Sequence, residues 1–425
     1  MMLCVTVMQA HAQYDELDDR IDKLADEIEE SVVKWRRHIH QNPELSNREF
    51  KTAEYVANHL RSLGIEVQTG VAHTGIVGIL QGGKPGPVVG LRADMDALPV
   101  VERTPVPFAS KVTSEYNGQE VGVMHACGHD SHVAILMGVA SVLSEVKEQI
   151  PGTVKFIFQP AEEGAPQGEE GGAKLMVEEG ALRNPDVDAI FGLHISSKIP
   201  VNYIAYRSGG IMASADYFEI IVRGKQTHGS SPWAGADPIV SAAHIITGLQ
   251  TIVSRRMPLT QNAAVVTVGA IHGGVRNNII PEEVKMVGTI RALDPEMQKE
   301  IHKQIHLTAT NIAESMGTTA EVNIPLGAPV TYNDPKLTEL MLPTLKEVAG
   351  KRQTILMNAT TGAEDFSFFQ KEVPGVYFFL GGMESGKRPE EVASHHTPDF
   401  YIDESGFVLG IRSLSRMALD YMRMK

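Results

Sequence analysis

A chain of 425 residues is long for one hydrophobic core and comfortable for two domains. Its 43% hydrophobic and 21% charged residues are ordinary for a soluble globular protein. The net charge of −14 argues against a nucleic-acid binder, whose footprint is a basic excess or stripe, and no apolar run is long enough to span a bilayer.

From the N-terminus, Leu3 to Met8 is apolar and Ala10-His11-Ala12 matches a small-x-small cleavage site. Residues 1–12 therefore read as the remnant of a signal peptide, giving a periplasmic or secreted protein, with the cytoplasm as the alternative. Cys4 and Cys127 are the two cysteines, so there is no disulfide framework to read. Apolar residues at Ile21, Leu24, Ile28, Val32, Trp35 and Ile39 predict a helix from Glu16 to His40, ended by Pro43. A second amphipathic helix is expected over Glu49–Leu63, then short strands at Ile65–Val67 and Ile76–Gln81. Gly82 to Gly86 reads as a turn. Pro87–Leu91 reads as a buried strand that delivers Arg92-Ala-Asp-Met-Asp96 to its C-terminal end.

The stretch Val123 to His132 (VMHACGHDSH) holds a thiol, three imidazoles and a carboxylate. A thiolate binds borderline and soft metals, and neutral imidazole is the commonest nitrogen ligand. A helix is expected over Val133–Val146. Buried strands follow at Val154–Phe158, ending in Gln159-Pro-Ala-Glu-Glu-Gly164, and at Ala189–Leu193, ending in His194. Ligand-type residues thus recur at the C-terminal ends of three apolar strands, where open parallel sheets bind their ligands.

The pattern changes near Tyr206. Strands at Tyr217–Arg223, Ala263–Val268 and Glu283–Ala292 and helices at Asp237–Arg255 and Pro295–Met316 predict an inserted α+β sandwich over 206–320. Residues 14–205 and 321–425 form the other domain, α/β with a mostly parallel sheet flanked by helices. Its later part carries a helix at Pro335–Val348, a strand at Val376–Leu380, Ser394-His-His-Thr-Pro-Asp399, and a last helix over Ser405–Met422.

The candidate metal ligands are Cys127, His129, Glu163, His194 and His396. Five donors are too many for one tetrahedral zinc and suit two metals sharing a bridge. A metal site with open positions lowers the pKa of water, and the resulting nucleophile needs a base. The neighbours Glu162 and Glu163 offer a division of labour in which one ligates and the other moves the proton. Asp94 and Asp96 are placed to hydrogen-bond a ligating histidine. The alternatives weighed are a binding protein that keeps only the scaffold and a thiol hydrolase with Cys127 as nucleophile.

These residues sit in RRHIHQNPELS (36–46), GLRADMDALPV (90–100), MHACGHDSH (124–132), FQPAEEG (158–164) and GLH (192–194). The run continues with THGSSPWAGADPI (227–239), GGVRNNIIPE (273–282), GTIRALD (288–294) and HHTPDF (395–400). The chain resembles the M20 metallopeptidase family over nearly its whole length, in the amidohydrolase branch with hippurate, N-acyl-amino-acid and indole-acetyl-amino-acid hydrolases.

The resemblance implies hydrolysis of an amide between an acyl group and an amino acid, for example a hippurate, indole-acetyl or ochratoxin-type amide. It implies two divalent metal ions, zinc first, with manganese, cobalt or nickel as alternatives. Cys127, His129, Glu163, His194 and His396 would be their ligands. His396 rather than His395 matches the family's His-x-Pro, and Glu162 matches its general base and acid. The family's supporting aspartate is Asp94 or Asp96: spacing to Pro99 favours Asp96, and the Arg-Ala-Asp alignment favours Asp94. It further implies a homo-oligomer, dimer or tetramer, through the inserted domain. There His228 stabilises the carbonyl oxyanion, and Asn278 and Arg291 hold the substrate carboxylate. Nothing in the sequence around His228 is expected to occupy it structurally. Two departures bear on substrate: Trp233 replaces the family's usual histidine after Pro232, and Arg276 replaces a smaller residue. An aromatic side chain there favours large or aromatic substrate groups.

Overall fold

The computed structural model describes residues 16–425, so the export-signal reading of Met1–Gln13, and Cys4 with it, lies outside the described residues. Two compact units divide the chain. The smaller holds Gly209–Tyr332 and Asn358–Ser367, and the larger holds the rest.

In the larger unit, α1 (16–27) and α2 (Glu29–Gln41) replace the single expected helix, with a turn at Ile28 between them. Then come α3 (Phe50–Ser62), β1 (Glu66–Val71), β2 (Gly75–Gln81) and β3 (Lys84–Asp94). The expected turn at 82–86 is shorter, because β3 already begins at Lys84. Next are α4 (His129–Glu145), β4 (Pro151–Gln159), β5 (Ala189–Pro200) and β6 (Ile204–Tyr206).

The smaller unit follows with β7 (Asp216–Arg223), α5 (Pro238–Thr251), β8 (Ala264–Gly273), β9 (Glu283–Ala292), α6 (Pro295–Ser315) and β10 (Thr319–Asn323). The larger unit resumes with α7 (Pro335–Ala349), β11 (Thr354–Leu356), β12 (Gly375–Met383) and α8 (Phe407–Met424).

The large sheet has eight strands in the order β1-β2-β4-β3-β5-β12-β6-β11. Its centre, β4-β3-β5-β12, is parallel, and the flanking pairs β1/β2, β2/β4 and β12/β6 are antiparallel. The sheet is therefore mixed: its parallel centre reaches the metal-type residues, and β6 with β11 forms a second parallel pair at the far edge. Strand β3 carries Val89, Leu91 and Ala93, all buried, which is why it reads as a continuous apolar run. Helix α4 is buried almost all round because α2, α8 and the sheet all pack on it. A Cβ on its Gly138 would come within 2.8 Å of Ile411 and 3.1 Å of Val32, so this glycine lets α8 and α2 approach closely. No helix among the described residues is long and apolar enough to cross a membrane.

The smaller unit is a four-stranded antiparallel sheet, β8-β9-β7-β10. In β7, Phe218, Ile220 and Val222 face inward at period two. They pack with Ile245 and Leu249 of α5 and Ile301, Ile305 and Ala309 of α6. The fourth strand, β10, straddles the expected domain border at 320, and the unit runs on to Tyr332 and regains 358–367.

Candidate metal centre

Three chain segments at the C-terminal end of the parallel strands converge with the start of α4. Asp94 ends β3 opposite Gln159, the last residue of β4, and Arg92 lies opposite Gly192 of β5, two residues before His194. Strand β5 does not end at His194 as expected. It continues to Pro200, but its pairing with β3 stops at Gly192, so His194 still lies beyond the shared ladder. Helix α4 starts four residues earlier than its apolar pattern suggests, so His129 and His132 belong to its first turn. Gly128 before it has φ +98, and a Cβ there would fall 2.5 Å from Ile195. Only glycine fits that corner without strain.

Each histidine's partners reveal which nitrogen is left to bind. The His129 Nδ1–H donates to the Asp96 carbonyl (2.9 Å), with the Asp96 carboxylate at 3.2 Å; its Nε2 is buried and has no hydrogen-bond partner among the described residues. The His194 Nδ1–H donates to the Ile195 carbonyl (2.6 Å), which leaves Nε2 facing Cys127 Sγ at 3.4 Å. His396 turns its Nε2 to Cys127 Sγ (3.3 Å) and Glu163 Oε1 (3.0 Å). Both nitrogens of His395 are engaged by the backbone: Nδ1–H donates to the Cys127 carbonyl (3.1 Å), and Nε2 accepts from the Ser197 amide (3.3 Å). His132 is likewise saturated, between Asp94 (2.5 Å) and the Ile195 amide (2.8 Å). His125 is buried, burial pushes it down to about 3, and among the described residues neither ring nitrogen has a hydrogen-bond partner.

Asp94 and Asp96 separate in the same way. Asp94 holds His132 and the buried Arg92 guanidinium (2.7 Å). Asp96 supports His129, accepts from Ser46 Oγ (2.7 Å), and takes the backbone amides of Glu162 (3.1 Å) and Glu163 (3.0 Å) on its two oxygens. The sequence did not single out Arg92, His132 or Ser46; each lies inside a quoted motif, and only the fold shows what it touches.

Donor atoms of Cys127, Glu163 and His396 lie within 4.8 Å of one another, as do those of Cys127, His194 and His395 and those of His129, Glu162 and Glu163. Electrostatics favour a cation there. Burial, then Glu163, Glu162 and Asp94, raise the Cys127 thiol well above its ordinary value. Burial opposes a charge on His129, yet Asp94, Asp96 and Glu163 push it up to about 10. Burial, then His132 and His395, hold His194 well below its usual range, as the neutral imidazole a metal needs. A buried thiol, an orphaned imidazole nitrogen and an excess of carboxylates are a donor set that divalent metals fit.

The smaller unit carries the other expected residues. His228 and Asn278 come together: the two-stranded ladder of Thr227–His228 with Ile279–Ile280 sets them side by side, and the Gly229 amide donates to the Asn278 carbonyl (2.9 Å). His228 is not without local partners. Its Nδ1 accepts from the Ser230 amide (3.0 Å) and lies 2.7 Å from Ser230 Oγ, which leaves Nε2 as the outward nitrogen. Arg291 lies in β9, opposite Val265 of β8. Trp233 is 82% exposed in a short turn, and Arg276 is exposed.

Residues 90–420 match the profile of Peptidase family M20/M25/M40. The chain is 41% identical over 408 residues to thermostable carboxypeptidase 2 of Saccharolobus solfataricus, covering 95% of this chain and 99% of that one. It is 38% identical over 404 residues to the Arabidopsis thaliana IAA-amino acid hydrolase ILR1-like 2, covering 94% and 87%. Among solved structures, the Bacillus subtilis YXEP protein, described as a dinuclear metal-binding peptidase of the M20 family, matches with a TM-score of 0.78 at 32% identity, over 94% of this chain and all of that one.

Proposed function

The chain belongs to peptidase family M20/M25/M40, a family of metal-dependent hydrolases, and from that footing we propose that it cleaves the amide bond of N-acyl amino acids. Aromatic acyl or aromatic amino-acid conjugates are the substrates we put first. One observation carries the reading. Glu162, adjacent to the metal-type ligand Glu163, has its Oε2 3.8 Å from His129 Nε2, and Asp96 grips the backbone of both glutamates.

Cys127, His129, Glu163, His194 and His396 would hold two divalent ions, with zinc, manganese, cobalt or nickel all compatible with the donors. Those ions would supply Lewis acidity to the scissile carbonyl and to water. Glu162 takes the proton of the attacking water and returns it to the amide nitrogen, so that the amine leaves neutral. Asp96, through His129 Nδ1, keeps the opposite nitrogen aimed into the site. Outward-facing His228 Nε2 serves as donor to the developing oxyanion, and Asn278 and Arg291 bind the substrate carboxylate. The family's IAA-amino acid hydrolase in Arabidopsis supports the conjugate class, and exposed Trp233 offers an aromatic face for it.

The test pairs two substitutions. Glu162→Gln should keep its metal and lose at least about 10²–10⁴-fold in turnover of N-acetyl, N-benzoyl and indole-acetyl amino acids. Glu163→Gln should lose metal, read by elemental analysis. Swapped phenotypes, or turnover that survives phenanthroline, would overturn the reading.

A further inference from the structure

Three consecutive backbone amides lead into the site, and all three are held by buried carboxylates. The Glu162 and Glu163 amides go to Asp96, as described. The Ala161 amide donates to Glu49 Oε1 at 2.9 Å. Glu49 stands at the N-cap position of α3 but makes no capping hydrogen bond to its own helix. Its other oxygen accepts from Thr74 Oγ1 at 2.6 Å, and it is fully buried. This carboxylate is therefore spent on a segment 112 residues away.

What it holds is strained. Ala161 has φ +51, a left-handed conformation that costs a residue with a Cβ roughly 1–2 kcal/mol. Such a conformation persists only where its surroundings impose it. The orientation of the peptide after Ala161 sets the direction in which Glu162 leaves the chain. We propose that Glu49 is a positioning residue for the hydrolytic reaction: by tethering the Ala161 amide it holds the left-handed turn that aims the Glu162 carboxylate. The inference rests on the reading of Glu162 as proton carrier.

The Glu49 side chain is engaged by Ala161 and Thr74 rather than by a donor-set side chain, so its loss should register in turnover. Burial, with the charge of Asp96 next, raises its carboxyl to about 8, which favours the protonated form, whose hydroxyl can share the Thr74 Oγ1 contact in either direction. Glutamine is then the conservative replacement, because its carbonyl can still accept from Ala161 and its amide can donate to Thr74 Oγ1.

Glu49→Ala should lower kcat by about 10- to 100-fold, the scale of an ångström-sized misplacement, with KM and metal content within about twofold of wild type. Glu49→Gln should recover most of that loss. Should Glu49→Ala not fold, Thr74→Val frees one end of the same carboxylate, and about a threefold fall in kcat at unchanged metal content is expected. Unchanged kcat in Glu49→Ala, or in Thr74→Val where it must stand in, overturns the inference. So does a loss that falls equally on metal content, or one that Glu49→Gln does not relieve. Glu162→Gln measured alongside separates the two failures. Turnover surviving there refutes the proton-carrier reading itself, whereas an inactive Glu162→Gln beside a normal Glu49→Ala refutes only the role of Glu49.

Discussion

The protonation of two buried residues decides how the centre must load. Cys127 is raised well above its ordinary value by burial and three carboxylates, so the metal-free protein holds it as the thiol at neutral pH. His129, pushed up to about 10 by its carboxylates, also carries a proton there. A metal can use neither until that proton leaves. Loading should therefore release protons, and affinity should rise with pH as both ligands are more easily deprotonated. Calorimetric titration of the metal-free protein with zinc in buffers of different ionisation enthalpy reads the release directly, and Cys127→Ala should release about one proton fewer. A binding enthalpy independent of buffer would contradict the assigned protonation. At this scale the His-x-Pro resemblance already chose His396 over His395, but Asp94 and Asp96 stayed open. Those two differ in what the fold places opposite each carboxylate oxygen, and no spacing rule contains that.

Among the elements, the contrast lies in how helices begin. Helices α5, α6 and α7 all open with Asp-Pro, and Asp237, Asp294 and Asp334 accept backbone amides of the first turn. An aspartate N-cap followed by proline at the first helical position is a strong start signal, and those three starts were legible within a residue. Helix α4 has no such cap. Its first turn is polar (His129, Asp130, Ser131, His132) and follows Gly128, so apolar periodicity placed the start at Val133. The polar turn is buried because it serves the site: Asp130 is held by Arg36 and His40 of α2, both at 2.7 Å. Gly128→Ala tests that start. A Cβ 2.5 Å from Ile195 at φ +98 must displace the helix start or the strand. Either movement separates Cys127 and His129 from His194, so the variant should lose metal before it loses its fold. Elemental analysis together with circular dichroism checks this; full metal content would show that the corner tolerates a side chain. Strand β10 escaped notice for another reason. Its Thr-Ala-Glu-Val-Asn is short and borders the sheet on one side only, so its alternation is barely apolar.

For the whole molecule, two separate cores divide the labour. The five candidate ligands Cys127, His129, Glu163, His194 and His396 lie in the larger unit, whereas His228, Asn278 and Arg291 lie in the smaller. The smaller unit's sheet has two unlike edges. Strand β10 has five residues with Glu321 exposed, while β8 runs ten residues, Ala-Val-Val-Thr-Val-Gly-Ala-Ile-His-Gly, without a charge or proline to blunt it. A long edge of that kind, interrupted only by a bulge between Val268 and Ala270, is open to pairing with another chain, and we propose a homo-oligomer built on the smaller unit. In such an assembly we propose that His228 serves the active site of the neighbouring subunit. Removing one oxyanion donor costs about 2.7–4 kcal/mol, or about 10²–10³-fold in turnover, so His228→Ala should be nearly inactive with its metal intact. Mixing it with Glu162→Gln, equally inactive, discriminates the arrangements. If His228 acts across subunits, a mixed dimer contains one site built from the His228→Ala chain's own Glu162 and its neighbour's His228. That site is fully wild type, and the other lacks both groups. If His228 acts within its own chain, each site of the mixed dimer lacks one group and nothing is regained. Differently tagged chains, refolded together and purified through both tags, should then recover up to half the wild-type activity per dimer. Mixed dimers of verified composition with no recovered activity would confine His228 to its own chain.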